Sequence, residues 1–107
     1  MIEKPEVINL YLDWYESLLT KKQLEIMIYY YQEDLSYREI AELLEISHSA
    51  VYDTVQKATK RLVDYEKELK AVSTERKLQK LIASLKELNK EEINRIINTI
   101  MKEENHD

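Results

Sequence analysis

Glycine, cysteine and phenylalanine are all absent from this 107-residue chain, and proline occurs once. Without glycine, the chain lacks the one residue that takes left-handed backbone freely. That argues against the primed turns of tight β-hairpins and against loops that cradle phosphate groups. Without cysteine there are no disulfides, no thiolate nucleophile and no sulfur-ligated zinc. The two histidines, His48 and His106, have no second ligand at useful spacing, so no metal is expected. No nucleophile is paired with a base and nothing supplies an oxyanion hole, so neither an enzyme nor a cofactor is expected. Long apolar runs are missing too, with none near the roughly 20 residues that span a bilayer. The opening "MIEKPEVINLYLDWYESLL" carries acids and no small-residue cleavage site, unlike a signal peptide. These exclusions predict a cytoplasmic all-α protein, without membrane insertion, built of helices joined by short polar turns.

Positive charge is also in deficit, with a net charge of -5. A general polyanion binder draws most of its affinity from phosphate contacts, so this total argues against one. The distribution is uneven. Residues 1–35 hold seven acids and three bases, residues 36–65 five and four, and residues 66–107 nine of each. The excess acid lies mainly in the first third, which leaves room for a local basic face beyond it.

What is present is helical periodicity. Pro5 suits a first helical turn, and Ile8, Tyr11, Leu12, Tyr15, Leu18 and Leu19 follow at helical spacing, predicting a helix over about 5–19. Thr20 with Gln23 is a capping box, in which each side chain satisfies the other's backbone N–H. It opens a second helix with Leu24, Met27, Ile28 and Tyr31 as its stripe. Trp14, Tyr11, Tyr15 and Tyr29–Tyr31 are expected to pack these two helices together. Ser36 with Glu39 opens a third helix with Ile40, Leu43 and Leu44 inward, and Ser47 caps a fourth that buries Val51, Val55, Ala58 and Leu62. Tyr65, Leu69 and Val72 extend that seam, and Leu78, Leu81, Ile82, Leu85 and Leu88 resume it. The pattern fits either one very long helix with a phase shift or two helices broken near Ser73 and Thr74. A third capping box, Asn89 with Glu92, opens a short final helix with Ile93, Ile96, Ile97, Ile100 and Met101 on one face. The expected organisation is a domain over residues 1–65 and a helical tail over 66–107. The tail's apolar stripe either folds back on itself or meets a second chain, and a homodimer is the preferred expectation.

Ile40, Ala41, Leu44, Ile46, Val51 and Val55 have the spacing of a helix-turn-helix. Ala41 is small where the second helix crosses, Ile46 plugs the corner, and Val51 and Val55 set the crossing angle. The turn position that commonly holds glycine is Glu45, so left-handed backbone is expected there at a cost of about 1 kcal/mol. The stretch "LTKKQLEIMIYYYQEDLSYREIAELLEISHSAVYDTVQKATKRL" resembles the helix-turn-helix of region 4 of bacterial sigma factors. With "YESLLTKKQ", "YREIAE" and "AVYD", the chain is similar to the YlxM family of small helix-turn-helix proteins over residues 7–69; beyond that it resembles the family only as a charged helical tail. The resemblance implies an accessory or regulatory role in the bacterial signal recognition particle pathway. Its implied partners are the particle's RNA, its GTPase, or both.

In such a motif the N-terminal part of the second helix reaches base edges, which nominates Ser47, His48, Ser49 and Tyr52. Gln56 has the donor–acceptor pair that suits adenine, and Lys57, Lys60 and Arg61 suit phosphates. Arg38, on the first helix, lies where a phosphate backbone passes, though pairing with Glu42 one turn away is an equal alternative. Arg76, Lys77 and Lys80 form a second basic cluster in the tail, either a second patch for structured RNA or charge pairs with neighbours. Asp53 lies in the middle of the outward face, where a carboxylate repels phosphate. The expected function is therefore a nucleic-acid-binding accessory protein with RNA slightly favoured over DNA. The alternatives are a dimeric regulator that reads duplex DNA and a protein-only adaptor for the GTPase.

Overall fold

The computed structural model describes residues 4–88 and 90–104, and these contain α-helices, one 3-10 turn and no strand. The described residues divide after Val72 into two compact units.

The first unit begins with α1 (Pro5–Tyr15) and a 3-10 turn (Glu16–Leu18), shorter in α-helix than the predicted 5–19. Then come α2 (Lys21–Tyr31), α3 (Tyr37–Leu44) and the 22-residue α4 (His48–Leu69). Both capping boxes form. Thr20 accepts from the Gln23 N–H while Gln23 accepts from the Thr20 N–H, each at 3.1 Å, and Ser36 and Glu39 do the same at 3.1 and 2.9 Å. Each box satisfies two amides that the first helical turn leaves free.

One core joins α1, α2, α3 and α4. Ile8, Leu12, Ile26, Met27, Ile40, Val51, Val55 and Leu62 are its largest fully buried side chains. The predicted faces need correction at Leu18 and Leu69, which are 43% and 57% exposed, and at three further positions. Leu43 is 56% exposed, because the inward face of α3 is centred on Ile40 and Ala41. Ile26, absent from the predicted stripe, is fully buried in α2 beside Met27. Trp14 is half exposed, and Tyr15 is the α1 aromatic that enters the core.

The choice between one long helix and two resolves as two, with the break at Lys70 rather than near Ser73 and Thr74. Lys70 is left-handed at φ 54° and caps α4, its N–H donating to the Glu66 carbonyl at 2.8 Å; α5 (Ala71–Glu87) follows at once. Side chains from distant sequence hold this corner. The Tyr15 hydroxyl donates to Glu66 Oε1 at 2.6 Å and accepts from the Ala71 N–H at 3.0 Å. Glu66 Oε1 also accepts from the Val72 N–H at 3.1 Å. The opening amides of α5 are thus satisfied by residues of α1 and α4.

The second unit contains the remainder of α5 and α6 (Glu91–Glu104). The predicted Asn89/Glu92 box involves Asn89, which lies outside the described residues, as does His106. No described helix is long and apolar enough to cross a membrane.

Candidate nucleic-acid interface

The Ser36/Glu39 box fixes where α3 starts, and Glu45 fixes where it stops. Glu45 adopts φ 56°, ψ 45°, the left-handed turn expected of the residue in the usual glycine position. Its N–H and that of Ile46 both return to the Ala41 carbonyl, the latter at 3.0 Å, which closes the last turn of α3. Ser47 then caps α4, its hydroxyl accepting from the Ala50 N–H at 3.0 Å. Val51, Val55, Ala58 and Leu62 are fully or almost fully buried, which fixes the rotation of α4 about its axis. With that stripe turned inward, helical periodicity directs Ser49, Asp53, Lys57 and Lys60 to the opposite side.

The N-terminal half of α4 is open. Ser47, His48, Ser49, Tyr52, Asp53 and Lys57 are exposed, and Tyr52 is 51% accessible despite its size. Lys60 is exposed and pairs with Asp64 at 2.9 Å. A pair so solvated is worth at most about 1 kcal/mol, so the ammonium is easily exchanged to another anion. Arg38 lies 3.8 Å from Glu42 with both side chains more than 70% exposed, a loose contact that leaves the guanidinium available. Asp53 stands between Ser49 and Lys57, one turn from each, and divides the polar end of the face from the cationic end.

Two nominated side chains are turned elsewhere. Arg61 does not stand with Lys57 and Lys60. Its guanidinium donates to Gln23 Oε1 at 3.0 Å, to the Leu18 carbonyl at 3.2 Å and to the Tyr65 hydroxyl at 2.6 Å, and it lies 5.6 Å from the Tyr65 ring centre. It ties α4 to the 3-10 turn and to the start of α2. Gln56 is half-buried and interacts with the Tyr37 hydroxyl of α3. Arg76, Lys77 and Lys80 are exposed on α5 and belong to the second unit.

A row of aromatic rings joins this face and was not nominated in full by sequence. Tyr30 stacks on Tyr37 at 4.8 Å and 16°, and meets Tyr31 edge-on at 4.9 Å. Tyr37 in turn meets Tyr52 edge-on at 5.7 Å and 89°. Burial first, and then the Tyr30 hydroxyl, push the Tyr37 hydroxyl up to about 12, so Tyr37 is neutral at any ordinary pH. The "YYY" run therefore does more than pack α1 on α2: Tyr30 braces α3, and through Tyr37 it supports the exposed Tyr52. The signal was the tyrosine directly after the Ser36 cap, one turn before Ala41 on the same face of α3.

Comparison with known proteins agrees with this architecture. Residues 2–103 match a family model described as "Putative helix-turn-helix protein, YlxM / p13 like" and designated UPF0122. Similar relatives include UPF0122 proteins of Bacillus cereus, Bacillus anthracis and Bacillus thuringiensis. Each is 42% identical over 92 residues, covering 86% of this chain and 84% of the relative.

Proposed function

This chain belongs to the YlxM/p13-like helix-turn-helix family, and from that premise we propose that it binds nucleic acid through the N-terminal half of α4. The observation that carries this reading is the open polar end of α4 on a rigid support. His48, Ser49 and Tyr52 are exposed, while Val51 and Val55 behind them are sealed in the core. Lys57, Lys60 and Arg38 supply phosphate contacts around that end, and Ser47 and Gln56 fix its start and its flank. Arg61 serves by holding α4 in place.

RNA is favoured over duplex DNA. Asp53, central on the outward face, would meet the closely spaced phosphates of a duplex groove unfavourably. Tyr52 offers a ring to an unstacked base, a mode of recognition common for RNA loops and bulges. The family resemblance extends the reading to an accessory factor of the signal recognition particle pathway, acting in the cytoplasm on the particle's RNA or together with its GTPase.

The test is a titration of labelled signal recognition particle RNA and random duplex DNA at two salt concentrations. Tighter binding to the RNA, weakened by Lys57→Ala with Lys60→Ala and with a flatter salt dependence, is expected. Equal affinity of the double variant and the native chain would refute the interface. A clear preference for duplex DNA, or binding only to the GTPase after nuclease treatment, would refute the choice of ligand.

A further inference from the structure

The second unit leaves an apolar trough open between α5 and α6. Leu81, Ile82 and Leu85 from one helix and Ile96, Ile97 and Ile100 from the other line a cavity of about 680 Å³. Ile97 is the one apolar side chain of this unit buried among its described residues, while Leu81, Ile96 and Ile100 remain 55–57% exposed. Units below about 40 residues seldom bury enough apolar surface to hold themselves together without a disulfide, a metal or a second chain. This chain has no cysteine, and its described residues hold no group of acids and histidines that could bind a metal.

We propose that the trough is a homodimer surface in which two α5–α6 pairs close face to face into a four-helix bundle. Charge selects the occupant. α5 carries four bases against two acids, and α6 carries four acids against two bases. Helical spacing places Lys77 and Lys86 along the edges of the α5 lining, and Glu92 and Glu103 along one edge of the α6 lining. A two-fold axis that sets α5 beside the partner's α6 brings unlike charges together along each seam. Setting α5 beside the partner's α5 would bring like charges together. The exposed apolar surface also calls for a cover. Leu78, Leu81, Ile96 and Ile100 each keep 43–57% of their surface in water, and a second trough of the same shape covers all four. The bundle places two copies of α4 in every particle.

Sedimentation of the full chain at tens of micromolar tests this. The expected mass is twice 12.9 kDa. Ile96→Glu with Ile100→Glu, placed on exposed positions, is expected to sediment as a monomer with helical circular dichroism retained. Lys77→Glu with Lys86→Glu is expected to weaken the dimer about tenfold at low salt, and adding Glu92→Lys with Glu103→Lys to the same chain is expected to restore it. A monomeric native chain would overturn the proposal and leave the trough to a different protein. A dimer indifferent to the isoleucine variant, or a fourfold charge variant no tighter than the twofold one, would overturn it as well.

Discussion

Replacing Arg61 with alanine should damage the fold before it damages ligand binding. In a generic helix-turn-helix, a cation at this position invites assignment to phosphate. Here its guanidinium makes three hydrogen bonds: those to Gln23 and the Leu18 carbonyl join α4 to segments 38 and 43 residues away, and the third goes to Tyr65 one turn on along α4. Hydrogen bonds to a charged donor contribute about 1.5–3 kcal/mol where water is excluded. Arg61 is only half-buried, and solvent replaces part of each bond on truncation, so the three together should come to about 2 kcal/mol. For a domain of this size that lowers the melting temperature by about 10 °C. Thermal melts followed by circular dichroism read the loss directly. Nucleic-acid titrations below the transition should show only the modest weakening that follows from one cation fewer. Arg61→Lys sharpens the test, because one ammonium nitrogen cannot occupy the places of both terminal guanidinium nitrogens, one of which meets Gln23 and the other Leu18 and Tyr65. It should lose most of the same stability while keeping the charge. If Arg61→Ala melted with the native protein yet bound nucleic acid worse than Lys57→Ala does, the guanidinium would be a ligand contact and the structural account would be wrong.

Three further perturbations follow from the same contacts. Tyr15→Phe removes the donor to Glu66 and the acceptor of the Ala71 N–H, and should cost about 2 kcal/mol in urea denaturation. Burial, and then Glu66, raise the Tyr15 pKa above 10.0, so the native hydroxyl's contribution is complete below pH 10 and disappears as pH rises through the raised folded value; the gap between native and Tyr15→Phe stability should narrow there, and a gap constant into strong alkali would refute this. The backbone N–H of Ser36, and then its hydroxyl, hold the Glu39 carboxyl below its ordinary 4.5, so its stabilisation is full above that pH and fades as pH falls through the lowered folded value. Melting curves of native and Glu39→Gln protein should therefore converge in acid, and parallel curves would count against the reciprocal cap. Leu62→Ala, at a fully buried position of α4, should cost about 3 kcal/mol by chemical denaturation, and a loss under 1 kcal/mol would mean that the core collapses around the cavity.

Local chemistry made much of this architecture legible in the sequence. Two capping boxes and the Ser47 cap set helix starts within a few residues, and the valines of α4 set its orientation. The outward polar end of α4 follows from that orientation alone. What escaped depends on residues far apart in the chain. The break at Lys70 has no proline or glycine to mark it, because Tyr15 and Glu66, 51 residues apart, satisfy the amides beyond it. Arg61 sits near the boundary between inward and outward faces, and only the position of the Leu18 carbonyl decides which way its long side chain turns. Leu43 illustrates the opposite limit: helical spacing allowed it inward, and the greater burial of Ile40 and Ala41 turned it to solvent.

Asp34, Glu45 and Lys70 each carry the backbone through left-handed space, with φ between 54° and 56°, at three corners where many proteins would place glycine. Each corner strains the native chain by roughly 1 kcal/mol. The same side chains narrow the conformations open to the denatured polymer, which raises its free energy by a comparable amount. Glycine at any of these corners would therefore relax both sides of the equilibrium and leave the net stability almost where it began. In this chain, the stiffness of the disordered state and the strain of the ordered one are two effects of the same residues.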